Sequence, residues 1–381
     1  MSRRAAFDAM VVGGGMVGAT AALALAEEGL DVALAEPRPP PAWAGPRSDL
    51  RVVALAEDAM GLLRELAVWP EVVAHACAYT GMEVWDAGSE HRLRFSAAEE
   101  GRPTLGAIVE NALLVDRLWS RLRAHPRVSL LEGFALERLD PPAADADAVK
   151  VTAADGTSVR TRLLVAADGA ASPTRARLGV EVDRNDYGQS GLVAFVDTEL
   201  PHARSCYQRF LPSGPLAFLP LRDGGCSIVW TLPREEAARL ADLPPPAFED
   251  ALERAFASRL GAVRLASPRR AFPLARQLAR RPAVGRAAAG GRRCPRRPPA
   301  GRAGRQPRPA RRARAARARA PPCRRSRSPA ASGPARRACC AAGIRWPPTP
   351  SRRSCADSPT TPCSRPCCVG RCSVRRSMSR A

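Results

Sequence analysis

Lysine is nearly absent from this sequence: Lys150 stands alone among 59 basic residues, and the rest are arginine. Aromatic residues make up only 5% of the chain, and histidine occurs four times. His75, His91, His125 and His202 share no metal-ligand spacing, so no metal site and no histidine chemistry is expected. No apolar run reaches eighteen residues, and no transmembrane helix is expected. Arg3-Arg4 ahead of an Ala/Leu-rich stretch has some look of a signal peptide. However, Asp8 interrupts the approach and Gly13-Gly14-Gly15 breaks the helix that such a segment forms.

Acidic residues are missing from one region only. From Pro282 to Ala381 there are 26 arginines and one acid, Asp357. The other 33 of the 59 basic residues and 36 of the 37 acidic ones lie in 1–281, a net of −3 against +25 for the tail. Cysteine divides the same way. Cys77, Cys206 and Cys226 are widely spaced in the first part, as in a reduced cytosolic enzyme, while the other nine fall in the tail. At 381 residues the chain is long enough for two domains.

What is present begins at the N-terminus. Phe7–Val12 reads as a buried strand, Met16–Glu28 as an Ala/Leu-rich helix and Asp31–Ala35 as a second buried strand. Between the first strand and the helix stand Gly13, Gly15 and Gly18 in the G-x-G-x-x-G spacing. Glu36 follows eighteen residues after Gly18. In such a turn Gly13 permits the tight reversal, Gly15 lets a pyrophosphate approach the backbone, and Gly18 lets helix pack on strand. The helix N-terminus favours the negative charge, and Glu36 can accept both ribose hydroxyls. The motif predicts a bound dinucleotide without distinguishing FAD from NAD.

Three later segments carry the distinction. Ser48-Asp49-Leu50-Arg51 follows a Pro-rich connection. Val109-Glu110-Asn111 precedes a helix with apolar positions Leu113, Leu114, Leu118 and Leu122. Leu163–Ala166 is a buried strand leading into Asp168-Gly169-Ala170-Ala171-Ser172, with Arg175 beyond. Taken singly, Arg51 reads as a surface arginine, Asn111 as a helix cap and Asp168-Gly169 as a turn. Further on, apolar runs at Leu192–Val196, Leu216–Leu221 and Ser227–Leu232 are broken by Pro and Gly-Gly, which reads as a strand-rich insert.

Over residues 7–280 the order of these motifs resembles the class A FAD-dependent aromatic monooxygenases, and within them the ubiquinone-biosynthesis hydroxylases. The resemblance implies an α/β fold: a Rossmann-like FAD-binding domain over 5–180, with a small sheet insertion near 75–105, interleaved with a β-sheet substrate domain over 181–280. It implies FAD as cofactor and NAD(P)H as co-substrate. It implies O2 and a small aromatic, prenylated phenol or quinol as reaction partners, with hydroxylation through a flavin hydroperoxide. The cofactor contacts it implies are Gly13, Gly15, Gly18, Glu36, Arg51, Asn111 and Asp168. The flavin carries the chemistry, so no catalytic acid or base is assigned. The resemblance also implies a cytoplasmic protein, with peripheral attachment to the inner membrane or to a ubiquinone-biosynthesis complex left open. A flavin oxidoreductase or halogenase of the same fold shares the N-terminal motifs and stays open as an alternative.

A second flavin motif of that family, roughly G-D-A-A-H followed by H-P and G-Q-G, belongs near residue 290. The sequence has Gly291-Arg292-Arg293-Cys294-Pro295-Arg296 and continues in Arg and Pro to Arg312. With arginine encoded as CGN and the reading displaced by one nucleotide, the Gly291/Arg292 junction permits Gly. The next four junctions permit Asp, Ala, Ala and His, and no later position forbids the family residue. The expectation is therefore a one-base shift between about Gln277 and Gly290. The shift leaves a disordered Arg/Pro-rich tail over 281–381 and a chain without its second flavin motif, and hence inactive. The rival is a nucleic-acid-binding tail. Trp346 is the only aromatic after Phe272, and the nine tail cysteines lack zinc-ribbon pairing, so no nucleic-acid partner is expected.

Overall fold

The computed structural model describes residues 6–140, 148–280, 283–285 and 287–289. The Gly291–Arg312 stretch and the tail beyond residue 289 lie outside these residues, but the expected disorder does not begin at 281: Ala287–Ala289 pairs in parallel with Leu164–Ala166, and Ala283–Val284 pairs with Ala287–Ala288, because this apolar stretch adds to the edge of the buried sheet. The chain runs β1 (Ala6–Val12), α1 (Met16–Glu27), β2 (Val32–Glu36), β3 (Val52–Leu55), α2 (Glu57–Glu65), α3 (Trp69–Val72), β4 (Cys77–Tyr79), β5 (Gly81–Asp86), β6 (Arg92–Ser96), β7 (Gly106–Glu110) and α4 (Asn111–Ala124). Next come β8 (Val128–Glu132), β9 (Leu136–Asp140), β10 (Val149–Ala153), β11 (Ser158–Ala166), α5 (Pro173–Arg177), β12 (Val182–Thr198), β13 (Ser205–Leu211), β14 (Gly214–Pro220) and β15 (Cys226–Pro233). The described part ends with α6 (Arg234–Asp242), α7 (Pro245–Phe256), β16 (Val263–Leu265), β17 (Arg270–Ala279), β18 (Ala283–Val284) and β19 (Ala287–Ala289).

Three sheets result. In the first, β19, β11, β1, β2 and β8 pair in parallel, as expected of buried strands joined through helices. β10 adds antiparallel to β11 and β9 to β10. Val32–Ala35 are wholly buried, and α1 covers one face of this sheet with eight buried positions, mostly alanine and leucine. Small side chains let α1 lie close to β1 and β2, and Leu118, Trp119 and Leu122 of α4 complete that core. The fold is therefore the expected mixed α/β type, with a Rossmann-like parallel sheet beside antiparallel ones.

The second sheet runs β16-β12-β15-β14-β13-β5-β6, with β17 along the other part of β12. Every described pairing in it is antiparallel except β13 with β5. One face buries Leu192, Phe218, Trp230 and their neighbours under α6 and α7, where Phe256 stacks on Phe218 at 3.8 Å. The third sheet, β3-β7-β4, is small and antiparallel. It packs Leu50, Val52, Cys77 and Ile108 against Phe195 and Cys206 on the opposite face of the second sheet. The segment 75–105, expected as a small sheet insertion, thus divides: β4 joins the third sheet, and β5 and β6 extend the second.

Candidate functional site

The glycine turn sits at the C-terminal end of β1, and its three motif glycines do different work. Gly13 has φ +102°, a region L side chains avoid, and a Cβ there would stand 2.5 Å from the Ala167 carbonyl oxygen. A Cβ on Gly18 would run into the Gly13 carbonyl. Both are demanded by close packing of the turn against β11 and α1. Gly15 is the opposite case: a Cβ there would meet nothing within 4 Å. It is also the N-cap of α1 and supplies no side-chain cap, so the first N–H groups of a twelve-residue helix face open space. A turn stripped of side chain over an uncapped helix end is the shape a pyrophosphate requires.

Glu36 ends β2 across that turn. Its Oε2 accepts the Gly14 N–H at 2.6 Å, and Oε1 accepts the Arg38 N–H at 3.1 Å. These bonds aim the carboxylate into a cleft of about 540 Å³ that is also lined by Gly15, Arg51 and Asn111. Arg51 sits immediately before β3, its Nε and Nη2 each 3.1 Å from an Asp49 carboxylate oxygen. Its carbonyl accepts the Asn111 N–H at 2.9 Å, which joins two segments sixty residues apart in sequence. Asn111 is the first residue of α4. The cap position belongs to Glu110, so Asn111 is not the helix cap its sequence position allows.

A second cleft, about 650 Å³, shares Gly15 and Asn111 with the first and continues along Ala167, Gly169, Arg175, Arg184 and Arg234. Asp168 stands between the lining residues Ala167 and Gly169, and its carboxylate turns toward its own loop. It accepts the Ser172 hydroxyl on one oxygen and the Thr174 N–H, at 2.9 Å, on the other. Ser172 in turn caps α5 by accepting the Arg175 N–H at 2.9 Å. Asp168 therefore sets the shape of the loop that closes the cleft. Of the seven residues singled out by sequence, four line the first cleft or its turn, Asp168 shapes the second, and Gly13 and Gly18 are packed beneath.

Three residues to which sequence reasoning gave no site role hold this arrangement. Trp119 of α4 donates its Nε1–H to the Gly14 carbonyl at 2.7 Å, fixing the turn from the helix side. Glu110 accepts the Arg47 N–H at 2.6 Å and, at 3.4 Å, the Trp43 Nε1–H and the Asp49 N–H, which binds the 43–49 loop to the end of β7. Arg47 carries φ +62° and reaches the second sheet, with Nε 2.6 Å from Asp223 and Nη2 2.8 Å from Asp197. The Asp223 hydrogen bond raises the Arg47 pKa further above its usual value, against the effect of burial. Glu110 carried a signal in its place beside Asn111. The partners of Arg47 carried none.

Cys77, Cys206 and Cys226 are buried free thiols, and burial pushes Cys206 and Cys226 up to about 12, far from a reactive thiolate. His202 is buried with Nε2 3.0 Å from the Leu221 carbonyl, and burial lowers its pKa. Among the described residues, no group of three or more His, Cys, Asp or Glu stands close enough to hold a metal ion. Nor is any helix among them long and apolar enough to cross a membrane.

Comparison with known proteins follows the same line. A family model described as an FAD binding domain matches residues 6–304, reaching past residue 280. The ubiquinone hydroxylase UbiL of Rhodospirillum rubrum is 36% identical over 274 residues, 72% of this chain and 63% of that protein. The 3-demethoxyubiquinol 3-hydroxylase of Escherichia coli is 37% identical over 273 residues, 70% of this chain and 68% of that one. The human mitochondrial ubiquinone biosynthesis monooxygenase COQ6 is 34% identical over 271 residues, covering 66% and 56%. The chain thus spans between about half and two thirds of these relatives' length. Among solved structures, Pseudomonas aeruginosa PqsL with 2-aminobenzoylacetate superposes with a TM-score of 0.63 at 22% identity, covering 75% of this chain and 78% of that one. The flavin-dependent monooxygenase PieE, in complex with FAD and substrate, gives 0.58 at 21%, covering 75% and 53%. Both likenesses are of fold.

Proposed function

Because this chain belongs to the FAD-binding domain family of monooxygenases, we propose that it derives from an FAD- and NAD(P)H-dependent enzyme that hydroxylates a prenylated phenol or quinol in ubiquinone biosynthesis. The observation that carries the cofactor is the cradle at Gly15: a side-chain-free turn over an uncapped helix end, with Glu36, Arg51 and Asn111 around one cleft. In this reading the α1 N-terminus takes the pyrophosphate. Glu36 takes the adenosine ribose, where its charge disfavours a 2′-phosphate. Arg51 leaves Asp49 to pair with a phosphate, and Asn111 orients the flavin end. Asp168 holds the loop at the mouth of the second cleft. There Arg175, Arg184 and Arg234 offer positive charge to the phosphates of the nicotinamide co-substrate. FAD, when bound, supplies the redox chemistry and the activation of O2. The protein's part is to bind, orient and exclude water.

The substrate class rests on the names of the relatives: a ubiquinone hydroxylase, a 3-demethoxyubiquinol 3-hydroxylase and a ubiquinone biosynthesis monooxygenase. The reading divides the chain into an FAD-binding part over 5–180, a substrate part over 181–280 and a frame-shifted remainder. It puts the enzyme in the cytoplasm and leaves peripheral attachment to the inner membrane open. The remainder replaces the second flavin motif, so the chain as written lacks part of its cofactor pocket and is inactive. Sequencing the coding DNA across codons 270–315 tests the shift. An extra or missing base supports it. A confirmed frame leaves two cases, an inactivated gene or a genuine basic tail, and bound FAD in the purified chain chooses between them. The activity is tested on the frame-corrected chain by substrate-dependent oxidation of NAD(P)H with oxygen incorporated into a prenylphenol. Product analysis with halide present separates hydroxylation from halogenation.

A further inference from the structure

Edge strand β6 exposes two large apolar side chains, Leu93 at 65% and Phe95 at 45%. Their alternate neighbours explain why they point outward. Arg92 and Arg94 occupy the other face, where with Arg259 they surround the buried Glu83 carboxylate. The face that carries Leu93 and Phe95 is the one that packs, through Phe195, Cys206 and Met82, on Leu50, Val52 and Ile108. It is therefore the face turned toward the segments that carry Arg51 and Asn111.

One row beyond that contact, the registers of six strands align. Val193 of β12 pairs with Val229 of β15, Val229 with Ala217 of β14, Ala217 with Gln208 of β13, Gln208 with Val84 of β5, and Val84 with Leu93 of β6. All but Leu93 are half-buried. The row holds no charge, its one polar member is an uncharged amide, and its middle is narrowed to an alanine. At ~4.8 Å per strand it runs about 24 Å from Val193 to the open edge. An exposed apolar end continuous with a half-covered apolar row is unusual on a soluble surface and marks a ligand or partner path.

We infer that this row is the track of a linear polyisoprenyl tail. The aromatic head lies toward the clefts at Gly15 and Asn111, and the tail crosses β15, β14, β13 and β5 and leaves past Leu93 and Phe95. The inference rests on the proposed prenylated substrate and assigns residues to its tail. Length and neutrality favour an isoprenoid over a peptide, because a peptide needs polar partners for its backbone and the row offers only Gln208.

The test uses the full-length frame-corrected chain with two probes, 2-prenylphenol and 2-farnesylphenol, and a farnesylphenol carrying a diazirine at the tail end. Farnesylphenol binds at least tenfold more tightly than prenylphenol. Leu93→Asp and Ala217→Phe bring the two affinities together while leaving prenylphenol binding unchanged. The diazirine labels peptides spanning Met82–Ser96, a readout that stands even where a variant folds poorly. Labelling confined to other strands, equal affinity for the two probes, or no binding of either overturns the track. FAD retention and NAD(P)H oxidation by the frame-corrected chain report separately on the functional reading. Failure of the labelling with those intact removes the track alone.

Discussion

Trp119 Nε1 lies 2.7 Å from the carbonyl oxygen of Gly14, so a helix that begins a hundred residues after the glycine turn holds that turn in place. Both groups are buried. Trp119→Phe keeps most of the packing and leaves the Gly14 carbonyl without this donor. It is expected to cost about 1–3 kcal/mol, the penalty for an unsatisfied buried group. Urea unfolding measures it, and FAD affinity should fall in the same variant. A stability equal to the parent's would show that water replaces the indole.

The two glycines at 13 and 15 should separate folding from binding. Gly13→Ala places a Cβ against the Ala167 carbonyl at positive φ and is expected to destabilise by about 1–3 kcal/mol. Gly15→Val fills open space, so thermal unfolding stays near the parent's while FAD binding drops at least tenfold. Equal FAD affinity in Gly15→Val would remove the pyrophosphate from this turn.

Glu83 predicts a pH dependence of stability. Burial alone would raise its carboxyl pKa, but the hydrogen bonds from Arg259 and Arg92 outweigh burial and hold it at about 2. The folded value lies below the ordinary carboxylate value of about 4.3. Its contribution is therefore fully present above that value and is lost as pH falls toward 2. Glu83→Gln is expected to cost about 3 kcal/mol at pH 7, because three arginines lose their shared anion. The difference in denaturant midpoint between parent and variant should narrow to about half from pH 7 to pH 3. A constant difference across that range would contradict the assignment.

Arg47 ties the 43–49 loop to the second sheet through Asp197 and Asp223. Arg47→Ala should release the loop, raising cleavage by a nonspecific protease within 37–48 at least severalfold while the far-UV spectrum stays unchanged. Protection equal to the parent's would mean that Glu110 holds the loop alone.

The glycine turn, β1, α1, β2 and the strand before Asp168 were legible because their information is local: period, glycine spacing and a strand-ending acid. The apolar runs within β12, β14 and β15 were legible for the same reason. Pairings between distant segments were not. Nothing in Gly81–Asp86 says that it lies parallel to Ser205–Leu211, and Arg47 gives no sign of Asp223, 176 residues away. β12 runs to seventeen residues because β17 pairs with its polar beginning, Val182–Asp186, which alternation alone would leave as loop. In α6 and α7 the buried Leu240, Phe248, Leu252 and Phe256 follow a helical period, yet they fall beyond the strand-rich runs read from Leu192 to Leu232. At the site, Glu36, Arg51 and Asn111 were legible through motif order. The inward turn of Asp168 toward Ser172 was not, because it depends on the loop's own geometry.

The cleft around Gly15 is proposed as an FAD site, left unfinished in the encoded chain. Its most direct test is FAD retained through gel filtration, measured by flavin absorbance per polypeptide, for the chain as encoded and for the chain with the single-base correction. The account predicts near-stoichiometric FAD in the corrected chain, little in the encoded one, and loss from the corrected chain on Gly15→Val. Full retention by the encoded chain, or none by the corrected chain, would contradict it.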